Sequence, residues 1–178
     1  MMTMMLVIVK VIAYFFLWTL YSYSVHRLAH IPHKKNFLYK IHIVHHRVKY
    51  GDSNWPEFSN YFFWFGSFKA SLDIWLTLTA PLIVLVFIDP VPGGILLGFH
   101  YLYEVFLAGK VVDHNPRIRG IITRWLSIGA YHLKHHDLYK CNYSFFITLW
   151  DHIFQTTDKK FLGVRSAKER RENLDERY

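Results

Sequence analysis

Apolar residues along this chain gather into three long runs instead of recurring at a fixed amphipathic spacing. Residues 6–25 are apolar apart from Lys10 and a few hydroxyls, which is long enough to cross a hydrocarbon core as a helix. No small-residue cleavage site follows a short apolar core, so this run reads as an uncleaved anchor. A second apolar region, 61–88, is interrupted by Lys69, Asp73 and Pro81. Its later part, 72–88, is the expected span. Its aromatic opening, YFFWFGSF, suits an interfacial helix, a tilted extension or a re-entrant fourth pass. DPVPGG at 89–94 combines the two strongest chain breakers and predicts a turn. A third apolar run, 93–112, then completes a helical hairpin. The pattern predicts an all-α integral membrane helical bundle of three to four spans, forming a single domain over 1–178. Residues 165–178 are a charged tail, read as a solvated helix or frayed end.

Charge orients this bundle. Six Lys/Arg fall between His26 and Tyr50 and twelve follow Val112, whereas Lys10 alone precedes them and the 89–94 turn has none. By the positive-inside rule both basic segments, and the C-terminus, are expected on the cytoplasmic side. The membrane would be the endoplasmic reticulum in a eukaryote or the inner membrane in a bacterium. The formal charge of +8 comes with 52% hydrophobic and 19% aromatic residues. Basic segments that alternate with apolar runs point to a membrane and not to nucleic acid. A single cysteine, Cys141, excludes a disulfide framework and a cysteine-rich zinc site. The sequon NYS at Asn142 is expected to stay unmodified on that side of the membrane.

Twelve histidines change the picture further. H-x-x-H-H occurs at His42, His45, His46 and again at His132, His135, His136, and HRLAH places His26 and His30 four residues apart. Positions i, i+3 and i+4 share one helical face, so each triplet is expected to point three imidazoles at one locus. One H-x-x-H-H should arise by composition roughly 0.05 times in such a chain, so two copies argue against coincidence. Surface histidines near anionic headgroups are the competing account, but the flanking Lys and Arg already fill that role at neutral pH. His114 follows the third run in VVDHNPR. These nine histidines all lie near span ends, in segments assigned to the cytoplasmic side. They are too many for one ion and enough for two. Imidazole suits iron, zinc or copper, so spacing predicts a dinuclear site in a cytoplasmic-side helical cap without naming the metal.

HRLAH, LYKIHIVHH and YHLKHHDLYKCNYSFFITLWDHIFQT (131–156) together resemble the boxes of the fatty acid hydroxylase/sterol desaturase superfamily of integral membrane enzymes. The resemblance covers roughly residues 15–157. It implies an oxygen-dependent non-haem di-iron centre that hydroxylates or desaturates C–H bonds of membrane lipids of fatty acyl or sterol type, in lipid biosynthesis. It implies two iron ions, replaceable by zinc in a purified sample, with molecular oxygen as co-substrate. Metal-ligand roles carry over to His26, His30, His42, His45, His46, His132, His135 and His136, and His114 matches a lone histidine before the last box. Ser144 and Gln155 stand where the family commonly has glycine, and His152 is not counted among the ligands.

Ligand imidazoles need acceptors that fix their tautomer, and Asp113, Asn142 and Asp151 are the candidates near the boxes. Asp151 competes with a plainer role as cap of a helix beginning at Ile153. His100 and Glu104, four apart within the third run, are candidates for a substrate tunnel or proton relay, or for a simple buried hydrogen bond. His33, beside Lys34 and Lys35, reads as surface. No nucleotide- or flavin-binding motif is present, so electrons are expected from a separate donor of cytochrome b5 or reductase type, steered to the basic surface. Two other readings use the same residues: a membrane metal-binding or metal-transport protein, and a catalytically inactive lipid-binding relative.

Overall fold

The structure is a computed structural model that describes residues 2–47, 55–159 and 161. The charged tail expected at 165–178 lies outside them.

Helix α1 (Met2–Ala29) carries the first apolar run. Its outward residues Met4, Leu6, Val9, Ile12 and Leu17 are more than half exposed in the isolated chain. A stripe of that kind belongs against lipid and not in a soluble core. Helices α3 (Phe68–Ile74) and α4 (Ala80–Ile88) are joined without a break by a π-helical turn, Trp75–Thr79. Pro81 explains the turn. It has no N–H, and its ring crowds the carbonyl four residues earlier, that of Thr77. Helix α1 takes up the freed carbonyls. Ser22 Oγ donates to Thr77 O at 3.0 Å, Trp18 Nε1 to Leu78 O at 2.8 Å and Tyr21 OH to Leu76 O at 3.2 Å. A backbone defect thereby becomes the seam between the two helices that, among the described residues, are long and apolar enough to cross a membrane, Thr3–Ala29 and Phe68–Ile88.

The turn expected over 89–94 is shorter than predicted. Asp89 alone is non-helical, and α5 (Pro90–Phe106) begins at once. Pro90 and Pro92 are tolerated because first-turn N–H groups have no intrahelical partner to lose. The tight hairpin also needs Gly93, since a Cβ there would stand 2.6 Å from the backbone N of Val86. Asp89 accepts from Lys10 Nζ at 2.7 Å and Tyr14 OH at 3.3 Å, so the charge interrupting the first run is paired at this end. Helix α5 has 17 residues, roughly 26 Å of helix, and residues 107–114 continue as turns. Trp18, Leu78, Leu82, Leu96 and Phe146 form the core between α1, α4 and α5. The aromatic segment before α3 is one 3-10 turn, Phe58–Phe62, closed by Phe63 in the left-handed region, and not a helical extension.

At the opposite end from Asp89, shorter elements build a cap. Helix α2 (Phe37–His45) is capped by Asn36, whose Oδ1 accepts from Tyr39 N at 3.3 Å. The Asn36 amide also donates to Leu28 O and Ile31 O at 2.8 and 2.9 Å, pinning α2 to the end of α1. Beyond α5, strands β1 (Leu126–Ser127) and β2 (Phe146–Ile147) pair antiparallel. They bracket helix α6 (Ala130–Leu138), and helix α7 (Leu149–Ile153) follows. Gly129 opens α6 at φ 55°, where a Cβ would collide with the carbonyl of Ile118.

Candidate metal centre

The nine predicted histidines come together, in two groups. His26, His30, His42, His46 and His135 form one, and His45, His114, His132 and His136 the other. Within each group the ligating nitrogens lie within 4.8 Å of one another. The last turn of α1 supplies His26, and His30 follows in the next turn. Helix α2 and its C-cap supply His42, His45 and His46, α6 supplies His132, His135 and His136, and His114 comes from the turn after α5.

The triplets do not each serve one locus, as the spacing suggested. In each, the i and i+4 histidines enter one group and the i+3 histidine crosses to the other. At about 100° per residue, i+4 lies 40° from i while i+3 lies 60° away on the other side. Two sites on either side of the helix face split the triplet in that way.

Main-chain and carboxylate acceptors fix the tautomers. His26 Nδ1–H donates to Tyr143 O at 2.6 Å, His135 Nδ1–H to Cys141 O at 2.7 Å and His114 Nδ1–H to Ala108 O at 2.8 Å. His42 Nδ1 lies 2.9 Å from Asp73 Oδ2. With the proton held on Nδ1, each Nε2 is a bare lone pair aimed inward. His26 and His42 bring two such lone pairs to 3.1 Å, and His135 Nε2 is buried without any partner. His42 Nε2 is 2.9 Å from Nε2 of both His30 and His46. In the second group His136 Nε2 is 3.2 Å from His114 Nε2 and 3.0 Å from His132 Nε2. Facing lone pairs repel unless a cation lies between them. Neighbouring nitrogens about 2.1 Å from a common ion would be roughly 3 Å apart, so both groups fit a metal.

Protonation does not relieve this repulsion. Burial, then neighbouring imidazoles, pushes His45 and His132 well below the ordinary histidine range, and His135 falls with them. Burial lowers His30 and His136 to about 3 and His114 to about 4. All remain neutral donors at physiological pH, the form a metal requires.

The other predicted residues sit further out. Asp151 is fully buried within α7. It accepts from the N–H groups of Tyr143 and Ser144 at 2.8 Å each, from Tyr131 OH at 2.9 Å and from Thr156 Oγ1 at 2.6 Å. It therefore holds the loop whose Tyr143 carbonyl orients His26. The Asn142 side chain donates to Tyr131 O and accepts from Asp158 N. It is fully buried, which by itself keeps a glycan off the sequon. Asp113 accepts from Tyr103 OH. Asp73 is the functional residue that the sequence reading passed over. It was legible as an ionisable residue inside an apolar run, and such residues mark sites.

Beside the clusters lies a cavity of about 240 Å³. His42, His45, His114 and His132 border it, together with apolar side chains such as Ile74, Leu78, Phe145 and Phe146. Glu104 lines it. His100 is fully buried and bonds Thr79 Oγ1 at 2.9 Å, and the cavity lining does not include it.

Exposed apolar helix faces, two polyhistidine groups in which four imidazoles have fixed tautomers, and a cavity against them define a membrane protein with two candidate metal sites. The family model for fatty acid hydroxylases matches residues 11–156, and the chain belongs to that family, within the fatty acid hydroxylase/sterol desaturase superfamily. It is 30% identical over 147 residues to lathosterol oxidase of Rattus norvegicus, covering 82% of this chain and 44% of that protein. The chain thus spans less than half the length of this relative. No solved structure matches it.

Proposed function

We propose that this protein is an oxygen-dependent di-iron enzyme that hydroxylates or desaturates a C–H bond of a membrane lipid, fatty acyl or sterol in type. The observation that carries the proposal is the convergence of nine imidazoles into groups of five and four beside a largely apolar cavity. Family membership and the likeness to a lathosterol oxidase support it. Two bound irons would supply oxygen activation. Hydroxylation consumes one O2, two electrons and two protons per lipid, and one oxygen atom leaves as water. Desaturation releases both as water.

The chain's own part is to hold His26, His30, His42, His46 and His135 around one ion and His45, His114, His132 and His136 around the other. It also keeps their Nε2 lone pairs inward and shields the reacting C–H from water with Phe145, Phe146 and Leu78. We place the three apolar helical segments across the membrane, the histidine cap on the cytoplasmic side, and the lipid entering from the bilayer. Electrons come from a separate donor, of cytochrome b5 or reductase type, that meets exposed Arg117, Arg119 and Arg124.

Lipid profiling by mass spectrometry of a host with and without the gene tests this reading. A gain of one oxygen or a loss of two hydrogens is expected, and it should vanish in His45→Ala and His135→Ala. Two bound metals with no oxidised lipid, despite a working reductase, would favour the metal-carrier reading. An unchanged phenotype in both variants would favour an inactive lipid binder.

A further inference from the structure

The cavity wall is largely apolar in surface and also carries polar side chains, several of which are already bonded within the protein. Asp73 is held by His42, Asp113 accepts from Tyr103 OH, and Ser127 donates to the Ser144 carbonyl. Glu104 differs. It is 9% exposed and lines the cavity. Among the described residues it has no hydrogen bond, and His100 Nδ1 lies 4.0 Å from its Oε1, beyond hydrogen-bonding distance. His100 Nδ1 is itself buried without a partner. A carboxyl left unbonded in a largely apolar chamber is destabilising unless something in the chamber bonds it. Such a group is retained where a ligand completes it.

We infer that Glu104 is the polar anchor of the substrate chamber, and that the lipid it receives is uncharged and bears a hydroxyl whose O–H donates to the Glu104 carboxyl. This deepens the proposed function and rests on reading the cavity as the lipid site of an oxidising centre.

A carboxyl accepts an alcohol O–H whether or not it carries a proton. The same chamber suits a free fatty acid poorly, because Asp73, Glu104 and Asp113 all border it and offer acceptors where a carboxylate needs donors. Lys110 also borders the cavity. If Lys110 governed recognition, the anionic lipid would bind better than the alcohol. Specificity of this kind is sharp, since a site built to bond a hydroxyl leaves a buried group unpaired when the hydroxyl is missing.

The test is binding to the detergent-purified, metal-loaded full chain, read by competition with a fluorescent lipid and without turnover. The probes are two matched pairs, 1-hexadecanol against hexadecane and cholesterol against cholestane, with palmitate as the anionic arm. The wild type should prefer the alcohol in at least one pair by about ten- to a hundredfold, and should bind palmitate more weakly than hexadecanol. Glu104→Leu should abolish the preference while keeping or improving alkane binding, which also reports an intact chamber. Glu104→Gln, which retains an acceptor oxygen, should restore most of it. If Glu104→Leu does not accumulate, Glu104→Ala puts the same question with a smaller side chain. No hydroxyl preference in either pair, a preference that survives Glu104→Leu, or palmitate bound as tightly as the alcohol would overturn the anchor. Turnover in the same preparations separates this from the proposed function. Oxidised product without a hydroxyl preference overturns the anchor alone. A Glu104-dependent preference with no product from iron-loaded, electron-supplied protein supports the anchor and overturns the enzyme reading.

Discussion

Replacing Asp73 by alanine isolates one orienting contact of the five-histidine group. The carboxylate is 6% exposed and lies 2.9 Å from His42 Nδ1. Its loss frees the His42 ring to rotate or to carry its proton on Nε2, the atom facing His26, His30 and His46. A charge-assisted hydrogen bond of this kind contributes about 1.5–3 kcal/mol. At 1.4 kcal/mol per decade that corresponds to roughly ten- to a hundredfold in metal affinity, which is the usual cost of losing a carboxylate behind a ligand histidine. The effect should be confined to one of two ions, because Asp73 touches no member of the four-histidine group by any hydrogen bond. The assay is metal content by mass spectrometry along a chelator titration of purified protein, with Asp137→Asn, on an exposed position of α6, as control. Asp73→Ala should release one equivalent at a chelator concentration about tenfold or more below wild type and hold the second equivalent unchanged. Two equivalents released together at the wild-type midpoint would refute the assignment of Asp73 to His42 and the independence of the two groups.

Asp151→Ala removes the acceptor for four donors, three of them buried, and should destabilise by about 3–5 kcal/mol, seen as a thermal midpoint lower by roughly 10 °C. Asp151→Asn should lose less. Gly93→Val places a branched side chain against the Val86 backbone and should prevent accumulation of folded protein, whereas Gly94→Ala, which meets nothing within 4 Å, should behave as wild type in detergent gel filtration. Chelator-treated protein should lose stability on acidification. Burial holds His45, His132 and His135 well below their unfolded value near 6.5, His114 at about 4 and His30 and His136 at about 3. The unfolded chain therefore binds protons first, and stability is full above pH 6.5 and falls as the pH drops toward 4 and 3. A denaturant midpoint equal at pH 7.5 and 5 would contradict neutral burial.

What was legible in the chain is what periodicity and residue chemistry encode. Long apolar runs located the membrane-length helices, histidine spacing on three segments located eight members of the two groups, and the family resemblance added His114. The rest depends on distant backbone. Carbonyl oxygens of Ala108, Cys141 and Tyr143 orient three of the imidazoles, and a main-chain acceptor leaves no trace in residue identity. Asp73 reaches His42 across 31 positions, so proximity in sequence favoured Asp113, Asn142 and Asp151 instead. The 89–94 segment reads as a turn because its residues are helix breakers, yet prolines break a helix only where an N–H is needed, and the first turn needs none. The π-turn at Trp75–Thr79 follows from Pro81 only once Ser22 and Trp18 are known to wait opposite it.

The split of each H-x-x-H-H triplet has a consequence for how the two groups relate. Helices α2 and α6 each place side chains in both, so neither group belongs to one helix, and each helix crosses the line between them. His46 of the first group and His136 of the second have ring centroids 4.5 Å apart, and His45 and His46 lie side by side on α2. A rigid helix cannot shift two of its histidines without moving the third, so the spacing of the two groups is set by α2 and α6 as bodies rather than by loops. Asn36 fastens α2 to the end of α1, and Asp151 fastens the loop after α6. The capping residue and the buried carboxylate are therefore what hold the two groups in register, although neither belongs to them.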